Sequence, residues 1–87
     1  MPKHAAAGRR AAVSFTPEAE QQARALEPKE AERLDRALAV IAADPIGAAP
    51  PMVTAPVLRE YRDANGARVI YYATVLGSVV VVAYLEA

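Results

Sequence analysis

Two short Gly-containing turns govern how the C-terminal part of this chain can fold. Asp63-Ala64-Asn65-Gly66 and Leu76-Gly77-Ser78 separate three apolar stretches, Val57 to Arg62, Arg68 to Val75 and Val79 to Leu85. Val, Ile and Tyr suit a pleated surface and Asn-Gly is a strong hairpin signal, so the spacing predicts three strands joined by tight turns. Val79 to Leu85 is apolar on both faces, as a central strand beneath helices would be. A membrane helix is the competing reading of Val69 to Leu85. It would need about 20 uninterrupted apolar residues, and Gly77-Ser78 breaks the run.

Upstream, the period changes from two to that of a helix. Ala11 to Phe15 alternates as a short strand and stops at Thr16-Pro17-Glu18. There Thr can cap the first free N–H groups, Pro is preset for the first helical position, and Glu18 and Glu20 favour the positive end of the dipole. Ala19, Ala23 and Leu26 share one face before Glu27-Pro28 interrupts. Pro28 restarts a longer helix carrying Ala31, Leu34, Leu38, Ile41 and Ala42 on one stripe, which Asp44-Pro45 ends. Residues 45 to 56 hold four of the seven prolines and no charge, as an irregular connection would.

The predicted order is strand-helix-helix-strand-strand-strand. This is an α+β domain with a helical hairpin packed on one face of a roughly four-stranded curved sheet, the other face left open for a ligand. With 87 residues there is room for one core, assigned to residues 11–87, preceded by a flexible basic arm at residues 1–10. Twenty-one residues are Ala, whose burial contributes little, so the core must come from the larger side chains concentrated after Val57.

Composition removes several chemistries. There is no Cys, which excludes disulfides and thiolate sites and fits a reducing cytoplasm; residues 1–10 lack the apolar run of a secretory signal. The only His is His4 in the arm, so neither Ser14 nor Ser78 has a base to activate it, and no metal or cofactor is expected. The four glycines are scattered and form no phosphate loop. Net charge is zero, but Lys3, Arg9 and Arg10 give the arm +3, which leaves residues 11–87 at −3. A nucleic-acid contact would therefore have to rest on a local patch or on the arm.

The informative constellation is Arg62 and Arg68, which bracket the Asn-Gly turn. Alternation places Leu58, Glu60 and Arg62 on one face of their strand, and Arg68, Ile70 and Tyr72 on one face of the next, with Val69, Tyr71 and Ala73 opposite. If the latter trio meets the helices, Arg68 faces the open side. Two guanidiniums there can hold a phosphate. The alternative is that they pair with Glu60 and Asp63 as ordinary surface charges. Tyr72 and Tyr84 could stack on bases, though strand tyrosines more often pack.

In order and texture, residues 11–87 resemble the RelE/ParE superfamily of toxins from bacterial type II toxin–antitoxin modules. The resemblance lies in Phe15-Thr16-Pro17-Glu18-Ala19, Leu26-Glu27-Pro28, Leu38 to Pro45, Leu58-Arg59-Glu60-Tyr61-Arg62, Arg68-Val69-Ile70-Tyr71 and Val79-Val80-Val81-Val82. It implies a toxin neutralised by a cognate antitoxin, in one branch acting as a metal-independent endoribonuclease that cuts mRNA on the ribosome. Arg68 matches the family's third-strand arginine at the scissile phosphate, and Arg62 a basic position one strand earlier. Two departures lead us to expect residual or absent cleavage. The chain stops at Tyr84-Leu85-Glu86-Ala87, where the family runs on to a further arginine and a terminal tyrosine, and Glu60 stands where ribonuclease members tend to be basic. The alternatives are a non-enzymatic, ParE-like inhibitor of DNA gyrase and a degenerate antitoxin-binding module without toxicity.

Overall fold

The computed structural model describes residues 10–87; most of the basic arm, residues 1–9, lies outside them. The elements are β1 (Ala12–Phe15), α1 (Pro17–Arg24), α2 (Pro28–Ala43), β2 (Arg59–Arg62), β3 (Arg68–Ala73) and β4 (Val79–Glu86). They form one four-stranded sheet in the order β1-β4-β3-β2, with β1 parallel to β4 and the other pairs antiparallel. The expected α+β order, with β4 between two neighbours, is what the chain adopts.

Both helices begin where their prolines stand. Thr16 accepts from the Ala19 N–H at 3.2 Å and Pro17 takes the first turn of α1, while Glu30 Oε1 accepts from the Glu27 N–H at 2.9 Å at the head of α2. The helices cover one face of the sheet. Leu34, Ala37 and Ile41 from α2 meet Val69, Tyr71, Val80, Val82 and Leu85 from β3 and β4 in a single buried cluster, with Ala19 from α1. Tyr71 is fully buried, and its hydroxyl donates to the Pro45 carbonyl at 2.7 Å, satisfying the one polar atom it brings inside. Burial, the largest cause, pushes that phenol's pKa up.

The strands are shorter at two ends than alternation predicts. Val57 and Leu58 belong to a turn, in which the Leu58 N–H donates to the Ala55 carbonyl at 2.9 Å, so β2 starts at Arg59. Likewise Thr74 closes a turn by accepting from Gly77 at 2.8 Å, which leaves Val75 and Leu76 outside β3 and almost fully exposed. Gly77 and Gly66 take left-handed backbone angles, φ +68° and +99°, and among the described residues no non-Gly residue does, Asn65 included. Asp63 completes the β2–β3 turn by accepting from the Asn65 and Ala67 N–H groups at 2.8 and 3.0 Å. In the proline-rich connection, where no chemistry was expected, Arg59 donates to the carbonyls of Ile46 and Ala49 at 2.9 and 2.6 Å and so ties the loop to the sheet.

Candidate functional site on the open face of the sheet

Strand register decides which side chains share the open face. Between Val80 and Val82, β4 points even-numbered residues at the helices, and that phase would bury Tyr84. A bulge reverses it. Ile70 lies opposite Tyr84 but Tyr71 lies opposite Val82, so Ala83 is an extra residue, and beyond it Leu85 is the buried one. Tyr84 and Glu86 thereby join Arg68 and Ile70 on the open side. Arg62 sits directly across from Arg68, and Glu60 across from Ile70, which completes the group.

The bulge is held by α1. Past Phe15 there is no β1 residue to pair with β4, and α1 supplies the missing partners. The Leu85 N–H donates to Gln22 Oε1 at 2.9 Å, and the Thr16 hydroxyl donates to the Ala83 carbonyl at 3.4 Å. Backbone groups freed by the extra residue are therefore satisfied by side chains.

Two like charges directly opposite each other on neighbouring strands repel, and here they are compensated. Glu60 Oε2 accepts from Arg68 Nε at 2.5 Å and from Arg62 Nε at 3.0 Å. Glu86 Oε2 accepts from Arg68 Nη1 at 3.4 Å and from the Tyr84 hydroxyl at 2.6 Å. The Arg68 guanidinium also lies 5.5 Å from the centre of the Tyr84 ring, within cation–π range. Beside this cluster is a shallow depression of about 140 Å³ lined by Arg62, Asp63, Gly66, Ala67, Arg68 and Glu86.

The electrostatics follow from those contacts. Arg68, the first cause, and then Arg62 hold the Glu60 carboxyl below its usual pKa, and Glu60 in turn raises Arg68 further above neutrality. Tyr84 is shifted up, chiefly because its hydroxyl is committed to Glu86. The shifts of Glu60, Arg68 and Tyr84 each run away from neutrality, the opposite of the tuning that general acid–base chemistry favours.

Arg68 and Arg62 both lie on the open face, as alternation predicts. The pairing with Glu60 is the surface-charge alternative foreseen above. Asp63, its other proposed member, turns inward to the hairpin backbone and takes no part. Glu86, and the contact of Tyr84 with it, were missed. Alternation carries no signal for them, because Val79 to Val82 are all valine and the register change at Ala83 leaves no mark in the sequence.

This arrangement defines an α+β domain with a helical hairpin on one side and a charge-compensated open sheet face on the other. No protein-family model and no curated protein sequence matches the chain. Solved structures do. The toxin–antitoxin complex RelBE2 from Mycobacterium tuberculosis aligns with TM-score 0.75 at 20% identity, over 90% of this chain and 91% of that one. The intact E. coli RelBE complex gives 0.74 at 21% identity over 87% and 94%, and the isolated E. coli RelE toxin 0.74 at 21% over 87% and 82%. The chain has the fold of the RelE toxins, as its resemblance implied.

Proposed function

We propose that this chain is the toxin component of a type II toxin–antitoxin pair, held silent by a protein antitoxin that binds across its sheet or helical hairpin. The observation that carries this reading is the RelE fold extending over 90% of the chain in common with a toxin from an antitoxin complex. Fold is a weak guide to activity, however, because unrelated activities share folds. Activity has to be argued from the site.

The site favours binding over cleavage. Arg68 is the residue through which a phosphate would be held, and a phosphate reaching it has to displace Glu60 or Glu86. Glu60, Arg68 and Tyr84 are all shifted away from neutrality, whereas metal-free cleavage by a ribose hydroxyl needs both charge stabilisation and proton transfer. Ribosome-dependent mRNA cleavage is therefore the weaker mechanism here. A non-cleaving inhibitor, of gyrase or of another target, or a module that only binds antitoxin, fits the compensated cluster better.

Co-expression with the product of the adjacent open reading frame, followed by affinity purification, tests the pairing. A stoichiometric complex is expected, and recovery of the free monomer alone would count against it. Primer extension on a reporter mRNA in translating extract then separates the mechanisms, with a supercoiling assay alongside. Strong codon-positioned cuts would overturn the non-cleaving reading.

A further inference from the structure

The cations of the open face are neutralised, but those of α2 are not. Among the described residues, Arg10, Arg24, Arg59, Arg62 and Arg68 each have a hydrogen-bond or ion-pair partner. Lys29, Arg33 and Arg36 make no hydrogen bond or ion pair to any described residue, and Arg33 Nε is buried without a partner. All three line one groove of about 270 Å³, together with Glu32 and Asn65 of the β2–β3 turn. Separations of four and then three residues set them on a single stripe of α2, about 10 Å long.

We propose that this groove docks an acidic helical segment of a partner protein, a surface on the helical hairpin distinct from the open face of the sheet. Arg is a fixed cation with a planar fork suited to carboxylates, and three cations against Glu32 leave the groove lining with two positive charges in excess. A carboxylate series spaced four and three residues apart on a neighbouring helix falls opposite the stripe. The local charge pattern argues against a nucleic-acid strand. Glu30, Glu32 and Asp35 alternate with the cations along α2, and residues 11–87 carry a net charge of −3. A phosphate chain, charged at every step, would be driven past those acids. A peptide sets its charges one at a time and can place a Lys opposite Glu32.

The test uses the full chain and three labelled probes followed by fluorescence anisotropy. The probes are an Ala-based helical peptide with Glu at positions i, i+4 and i+7 and a Lys to face Glu32, a permuted peptide of the same composition, and a short oligouridine. The matched peptide is expected to bind more tightly than the permuted one and to weaken by up to about fivefold in Arg33→Ala or Arg36→Ala, each variant losing one solvent-accessible charge pair. Arg36 is exposed, so Arg36→Ala serves if Arg33→Ala does not fold, and circular dichroism melting checks both. Failure of the matched peptide to bind would overturn the proposal, as would equal affinity for matched and permuted peptides or indifference to both substitutions. If oligouridine binds and depends on Arg33 and Arg36 while the peptide does not, the groove is a nucleic-acid surface and the proposal is also overturned. The groove lies on the helical hairpin, one of the two faces proposed for the antitoxin, and there the inference deepens that reading; copurification tests the pairing while the peptides and variants test the groove, so either can fail alone.

Discussion

Arg68 shows how the same side chain can be visible in a sequence while its chemical state is not. Its place on the open face follows from the period of two, but its two carboxylate partners come from different strands, Glu60 one hairpin earlier and Glu86 at the end of the next. Growth arrest after induction measures what Arg68 contributes. Arg68→Ala is expected to abolish whatever arrest the wild type produces and Arg68→Lys to restore it only in part, because the charge is kept and the fork is lost. Arg62→Ala should act in the same direction but more weakly, since Arg62 is the more exposed partner of Glu60. Melting temperature should fall by only a few degrees in these variants, the share of the Glu60 ion pairs that they remove, and a collapse there, or unchanged arrest, would remove Arg68 from the site. Glu60 adds a pH signature. Its folded-state pKa is depressed below 4.5, chiefly by Arg68, so its stabilising contribution is present above 4.5 and is lost as pH falls through the folded value. The melting-temperature gap between wild type and Glu60→Gln is therefore expected to be constant from pH 7 to about 5 and to shrink below the unfolded carboxylate range. A gap that widens on acidification would contradict the assignment.

Among the elements, the junction of α1 with the end of β4 determines the composition of the site. Gln22 and Thr16 satisfy the backbone around Ala83, and the extra residue there turns Tyr84 and Glu86 outward. Gln22→Ala leaves the part-buried Leu85 N–H without its acceptor and is expected to cost about 1–2 kcal/mol in urea unfolding, with faster amide exchange at Leu85. Unchanged stability and exchange would mean that β4 holds the bulge unaided. Most elements were legible because local chemistry marks them. Pro17 and Pro28 fix helix starts through geometry confined to a few residues, and Gly66 and Gly77 do the same for the turns. The bulge was not legible in that way. The acceptor that meets its Leu85 N–H is on α1, 63 residues away, a separation at which local patterning carries no information. The same holds for Arg59, whose loop contacts lie ten and thirteen residues away across an irregular connection.

Taken whole, the molecule divides its charge unevenly. Its sheet face is compensated, its α2 groove is cationic, and the apolar side chains Val53, Val57, Val75 and Leu76 stay largely in water on loops. Among the described residues the largest fully buried side chains are Tyr71, Ile41, Val69, Val80 and Val82. A core of that size, padded with alanine, supports only a modest free energy of folding. A partner that binds only the folded state adds to that stability in proportion to the logarithm of its concentration over Kd. At a hundredfold excess over Kd the added term is about 2.7 kcal/mol, which for a domain of this length corresponds to a rise in melting temperature of roughly 10–20 °C. Differential scanning fluorimetry of the purified complex against the free chain, repeated across a dilution series, measures it directly. The complex is expected to melt higher and to lose that advantage on dilution. A complex that melts with the free chain at every concentration would mean that the co-purified protein does not discriminate the folded state from the unfolded one, and so is not the antitoxin proposed above.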